Sequence, residues 1–392
     1  MAVEIEPVKD YSKFVVGRGH GKTEHGISLS LLKSALQKYI RRSETEKAIK
    51  CLYETNTLLL LENANENQCM LFRSQNKQNT LSQKVINQFG KAQRTNIANR
   101  LLVILSEEVN IQDHPHIPIY VWNLYNSFIK NRSTQKSIHH LASIAVILSN
   151  AKKGRIISYL KSAFNLPPFY VNESKRREYN EFHSQRVLAK FAIIEQRSAS
   201  EVYNFETFIH CFESNHVEKA FRCIGKMCEN KSQNEIKELF KNIWEHLLKN
   251  TSNSSITALY KIYQKMTHVE RPLYLYHALL LKMNHEKLNW NADTSHFSNI
   301  MVPSCDSIIS IDDDDYVKDH HVCGSKNLNS YIKLLKESFY VPENHMNRMF
   351  IMPFYEDVYR YIKLSIGHYE ENKTFPSEEQ LTLYIQTHFQ AE

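Results

Sequence analysis

The chain has 392 residues, 42% hydrophobic and 23% charged, with a formal net charge of +7 and a pI near 8.8. These values suit a globular protein with one large core or about two to three smaller ones. The mild basic excess excludes a histone-like chain and permits a nucleic-acid or acidic partner without demanding one.

Only 9 Gly and 10 Pro punctuate the sequence, which favours helices over a strand-and-turn chain and predicts an all-α, multi-helix array. Residues 1–27 hold two small glycine clusters and read as an extended N-terminal arm. Helices follow at 28–42 and 45–60. In the first, Leu32, Ala35, Leu36, Tyr39 and Ile40 form one apolar face. Lys38, Arg41 and Arg42 crowd its end, where cations suit the helix dipole. Ser43 and Glu46 have the spacing of a capping box for the second helix.

Residues 62–80, rich in Asn and Gln, read as a long surface loop. A helix at 81–89 precedes one over 93–109, whose Ile97, Leu101, Leu102, Ile104 and Leu105 mark it as central to a core. Pro118 suits the first turn of a helix at 118–131. Residues 137–149 are apolar nearly all round and read as a buried helix, with Gly154 as a candidate C-terminal cap. The run LPPF at 166–169 stops helical propagation. Helices resume at 179–196, 200–214, 217–230, 234–249, 254–267 and 271–284. Two more are expected near 355–370 and 377–389, after an irregular stretch at 285–311 and a helix at 326–339. The organisation is therefore an arm over 1–27, a helical domain over 28–165 and a second over 180–392.

Shifted by 172 residues, the first helix pair falls on a second of similar pattern: Glu46-Lys47-Ala48 meets Glu218-Lys219-Ala220, and Cys51 meets Cys223. IHHLASIAVIL (138–148) has a fainter counterpart in PLYLYHALLLK (272–282). A degenerate duplication and the ordinary likeness of amphipathic helix pairs both fit.

Several motifs invite chemistry. Gly21-Lys22-Thr23 matches the end of a phosphate loop, but Val16 stands where the leading glycine is required and no βαβ unit surrounds it, so a flexible basic arm is the favoured reading. The histidines lack zinc spacing; Asp319, His320, His321 and Cys323, beside Asp312 to Asp315, form the densest group of potential ligands, and surface polarity or helix capping is the favoured account of it. No cofactor or metal is expected, nor a catalytic centre, since no complete catalytic motif is present. The seven cysteines are odd in number and without CxxC, which indicates reduced thiols of a cytosolic or nuclear protein; Cys51, Cys211 and Cys223 fall on apolar helix faces as core residues. The polar start MAVEIEPVKD does not resemble a signal peptide, and no run of about 18 apolar residues suggests a membrane span. The abundance of Asn, Lys, Ile and Tyr is that of AT-rich coding sequence, which points to a virus or a protist.

Basic clusters remain: Lys38/Arg41/Arg42, Lys91/Arg94/Arg100, Lys152/Lys153/Arg155 and Lys175/Arg176/Arg177. Brought to one face, they would track phosphates. Scattered, they are solvated charge and helix capping.

The stretch SALQKYIRRSETEKAIKCL (34–52) resembles a signature of the helical, collar-type C-terminal region of clamp-loader-like AAA+ ATPases of the replication-associated recombination group. Ser43 stands where that pattern usually has Gly. RTNIANRLLVILSEE (94–108) and LSNAKKGR (148–155) are similar to two further elements of the family, in the family's order, and DHHVCG (319–324) to a fourth, with Val322 in place of Thr. The ATPase core is lacking, so the resemblance implies a helical oligomerisation or DNA-associated module without ATP-driven activity. The expectation is thus a non-catalytic protein of replication, recombination or genome packaging, of viral origin, located in cytoplasm or nucleus, at a viral replication site or in the virion. Lys38, Arg41, Arg42, Arg94, Arg100, Lys152, Lys153 and Arg155 would contact nucleic acid or an acidic partner. Protein partners or self-association are expected, and no membrane. The alternative is an assembly protein of a virion or scaffold without a direct nucleic-acid role.

Overall fold

The computed structural model describes residues 11–17, 21–164, 166–167, 202–249, 251–267, 270–285 and 288. These residues are helical and hold no named strand; isolated antiparallel bridges join Val15 to Lys22, Lys22 to Ser28 and Val109 to Lys153. The fold is all-α, as expected. Among the described residues no helix is long and apolar enough to cross a membrane. Two compact units result, parting at Lys153 and Gly154, ahead of the 165–180 junction read from the sequence.

The first unit, over its described residues 11–109 and 116–153, is built on α1 (Leu29–Arg41), α2 (Thr45–Asn56), α3 (Leu59–Glu62), α4 (Glu66–Asn76), α5 (Gln83–Glu108), α6 (Ile117–Asn131) and α7 (Ile138–Asn150). The long α5 forms its spine: Ile97, Leu101, Leu102, Ile104 and Leu105 are all buried. The two helices expected at 81–89 and 93–109 are one. Gly90 sits within it because α3 lies against it: a Cβ there would meet the Glu62 backbone nitrogen at 2.6 Å and the Leu58 carbonyl oxygen at 2.7 Å.

The surface loop expected at 62–80 is instead mostly α4. Asn65 and Gln68 form a reciprocal capping box at its start, and Cys69 and Phe72 anchor it in the core. The arm expected at 1–27 is packed over its described part. Tyr11 and Phe14 are buried; the Tyr11 N–H donates to Gln75 at 2.7 Å, and Asn76 donates to the Tyr11 carbonyl at 2.6 Å. Helix α7 is buried along most of its length, as its composition predicts, but it ends with Ala151 in extended conformation, so Gly154 is not its cap.

The capping role expected of Ser43 is also corrected. Its φ is 61°, the left-handed turn residue between α1 and α2, and α2 is preceded by Glu44 without a side-chain cap. A left-handed residue at this place is the physical reason a glycine suits it.

The second unit, described at 110–115 and from Gly154 to residue 288, contains α8 (Ile156–Ala163), α9 (Phe205–Glu213), α10 (Val217–Cys228), α11 (Gln233–Lys249), α12 (Ser254–Lys265) and α13 (Arg271–Met283). Helix α8 was not anticipated. Helix α13 is apolar nearly all round, and the Tyr276 hydroxyl donates to the Pro167 carbonyl at 2.8 Å. Phe221 and Phe240 meet the Tyr276 ring edge-on.

At the 172-residue offset the two units repeat one turn. Asn215 has φ 58° where Ser43 has 61°. The Glu44 N–H donates to Tyr39 at 2.9 Å, and its counterpart His216 N–H to Cys211 at 2.8 Å; Ser43 to Ile40 and Thr45 to Ser43 have the same partners in Asn215 to Phe212 and Val217 to Asn215. The bounds of α10 are those of α2 moved by the same offset, and α9 ends where α1 would, although it starts later, at Phe205. The helix pair is therefore a structural repeat, from apolar spacing through to backbone hydrogen bonds. The segments expected as helices at 179–196, 326–339, 355–370 and 377–389, the patch Lys175/Arg176/Arg177, the group Asp312–Cys323 and the stretch 319–324 lie outside the described residues.

Candidate nucleic-acid interface

The first-unit residues chosen for phosphate contact divide into cations that hold helices together and cations that remain nearer solvent. Arg41, at the end of α1, is 5% exposed, and its guanidinium grips the Glu108 carboxylate with two bonds, Nε to Oε2 at 2.8 Å and Nη2 to Oε1 at 2.6 Å. Gln37, one turn earlier, donates to Glu107 at 3.0 Å and to Glu108 at 2.5 Å, and its carbonyl oxygen accepts from Arg100. Glu108 is 1% exposed. A buried carboxylate held by a planar fork and an amide is a satisfied pair.

Lys153 lies next to this network, its backbone bridged to Val109. Its ammonium is 1% exposed and donates to the Ser149 and Ala151 carbonyls at 2.7 and 2.5 Å. Burial pushes it down to about 7, against the Glu108 charge, which pulls it up. Gln37 and Arg41 of α1 and Arg100, Glu107 and Glu108 of α5 thus form one polar network, with the Lys153 charge felt by Glu108.

Arg94 holds a second node. It is 2% exposed and donates from Nη1 to Glu62 at 2.8 Å and to the Arg132 carbonyl at 2.5 Å, and from Nη2 to Asn56 at 3.0 Å and Ser137 at 2.9 Å. Its guanidinium also lies over the Phe128 ring, 5.6 Å from the centroid. Burial lowers the pKa of Arg94, and its hydrogen bond to Glu62 opposes that shift. Arg132 and Ser133 share the same Glu62 carboxylate, at 3.2 and 3.1 Å. This cluster ties α2, α3, α5 and the turn before α7.

Arg41, Arg94 and Lys153 therefore do not present their charge to a ligand: each is buried on protein acceptors. Lys38 is also buried. Arg42, Arg100 and Lys152 are half-buried, and Arg155, likewise half-buried, belongs to the second unit. Arg100 faces Lys33, whose ammonium is lowered first by burial and then by the Arg100 charge.

The phosphate-loop reading does not hold. Lys22 bridges Val15 and Ser28, the Thr23 hydroxyl is buried on the Glu54 carboxylate, and α1 does not begin until Leu29. His25 Nδ1 lies 2.7 Å from the other Glu54 oxygen, so Thr23 and His25 both fasten this segment to α2. Cys51, Cys69, Cys211, Cys223 and Cys228 are free and buried; burial raises the Cys51 thiol and pushes Cys228 up to about 12, which suits core residues. Among the described residues no group of His, Cys, Asp or Glu could hold a metal.

Two of the first unit's exposed cations outside the chosen contact residues, Lys84 and Lys91, lie on α5. Lys84 and Lys91 line an open groove with Asn87 and Gln88 of the same helix, Glu62 and Asn63 at the end of α3, and Ser133. Lys91 was noticed as part of a basic cluster; Lys84 was not, although the spacing 84, 88, 91 marks one helix face. No family model, no curated protein and no solved structure matches the chain.

Proposed function

We propose that the chain is a non-catalytic helical protein that binds nucleic acid or another acidic partner in DNA replication, recombination or genome packaging. The observation that supports the binding reading is the division of cations just described. Arg41, Arg94 and Lys153 are engaged within the fold, whereas Lys84 and Lys91 are exposed with no side-chain ion pair or hydrogen bond among the described residues. A net charge of +7 adds a long-range attraction for polyanions. The replication setting rests on the sequence resemblance alone, and the absence of catalysis on the lack of a complete catalytic motif.

Titration of a labelled oligonucleotide with the whole chain tests the reading. Binding that weakens steeply between 50 and 200 mM salt is expected. A flat titration at low salt, with the protein folded by circular dichroism, would sink it.

The assembly reading has its own support. Three of the eight residues read as contacts are struts, so part of the basic pattern reflects construction of the helical units. Light scattering over a range of concentration separates the two: large assemblies without nucleic acid favour the assembly protein.

A further inference from the structure

The α5 groove encloses about 610 Å³ and is lined by polar side chains throughout. Its acid, Glu62, already accepts from Arg94, Arg132 and Ser133. Two guanidinium charges on one carboxylate leave the floor positive. Lys84 and Lys91 add two further charges on its wall, and their side chains, like that of Gln88 between them, have no partner among the described residues. Asn87 is held in place by its amide, which donates to the Leu61 and Ala64 carbonyls at 2.8 and 2.9 Å. The wall is thus a rigid helix face carrying unpaired donors, over a floor whose own acid is neutralised.

From this arrangement we infer that the groove is a seat for the phosphodiester backbone of a nucleic acid. The inference rests on the binding function proposed above and adds its location. Seven residues separate Lys84 from Lys91, about 10.5 Å along the helix axis. None of the described residues that line the groove is aromatic, so they offer no platform for stacking bases; they grip phosphates and tolerate any sequence. Nor does any of those described residues have an apolar side chain, and among them a protein partner would lack the buried anchor on which such interfaces depend.

The test uses the whole chain and fluorescein-labelled oligonucleotides, single- and double-stranded, with anisotropy read at several salt concentrations. Lys84→Gln/Lys91→Gln is compared with a charge-matched control in the second unit, Lys237→Gln/Lys261→Gln. The groove variant should lose about tenfold in affinity and shallow the slope of log K against log salt by about 2, one for each phosphate contact, while the control binds as the wild type does. If the wild type binds and the groove variant matches it in affinity and slope, the groove is not the seat, and the general binding function stands. If the folded wild type binds neither strand form at 50 mM salt, the binding function fails and the groove assignment with it. Competition by poly-glutamate as effective as that by unlabelled oligonucleotide overturns the choice of nucleic acid over an acidic protein.

Discussion

Replacing Arg41 by methionine separates a strut from a ligand contact. The guanidinium makes two charge-assisted bonds to Glu108, at 2.8 and 2.6 Å, with the two side chains 6% and 0% exposed. Methionine fills much of the volume but leaves the Glu108 carboxylate buried without its guanidinium partner, the Gln37 amide still donating to it. Removing one partner of a buried pair costs about 3–5 kcal/mol, a large part of the roughly 5–15 kcal/mol that holds a domain folded. Urea unfolding of the whole chain should show the loss, and hydrogen exchange at the amides of α1 and α5 should locate it in the first unit. Arg41→Met/Glu108→Leu removes both charges together, so the double variant should be more stable than the sum of the singles predicts, by about 2 kcal/mol or more. A variant within about 0.5 kcal/mol of wild type, with additive singles and weakened oligonucleotide binding, would refute the reasoning and restore Arg41 as a surface contact.

Other consequences follow from single positions. Lys153 keeps a proton less readily folded than unfolded: its pKa is pushed down to about 7, below the ordinary lysine value. Between about pH 7 and 10 the unfolded chain binds the extra proton, so wild-type stability rises with pH there, by roughly 5 kcal/mol in total, and the full cost of the buried ammonium is present below pH 7. Lys153→Met should lack that rise in urea midpoints measured at pH 6, 8 and 9.5; parallel curves for the two proteins would overturn it. Gly90→Ala drives a methyl into the α3 backbone, 2.6 Å from the Glu62 nitrogen, and should cost about 3 kcal/mol or more by denaturant unfolding. Ser43→Gly relieves the left-handed conformation at φ 61° and should raise stability by up to about 1 kcal/mol, with a smaller gain at Asn215→Gly, because asparagine tolerates that conformation better; a lowered Tm for Ser43→Gly contradicts the turn assignment.

The repeat of α1–α2 in α9–α10 shows how far a pattern in the chain carries into structure. Leu36, Tyr39 and Ile40 are matched in sequence by Phe208, Cys211 and Phe212, and all six are buried. The turn between the helices is the same to the level of individual N–H donors, although Ser43 and Asn215 share neither size nor charge pattern with each other's neighbours. What is preserved is the need for one left-handed residue, which serine, asparagine and glycine meet at different cost.

Apolar spacing by itself determined that the chain is helical, where most of the described helices run, and that α5 and α7 are central, because burial at a period of 3.6 needs only near neighbours. It left α4 hidden among Asn and Gln, since a helix held by a capping box and two buried side chains has little periodicity to read. It also split α5 at Gly90, whose reason is the approach of α3 from elsewhere. The use of each cation was decided by tertiary structure alone. Glu108 is 67 residues from Arg41 and Glu62 is 32 from Arg94, so neither partner is a helical neighbour. A basic residue at a helix end has the same local signature whether it meets a buried carboxylate or water. Packing brought acids to Arg41 and Arg94 and, among the described residues, left Lys84 and Lys91 without one, because charge is satisfied across helices, at distances that the order of residues does not encode.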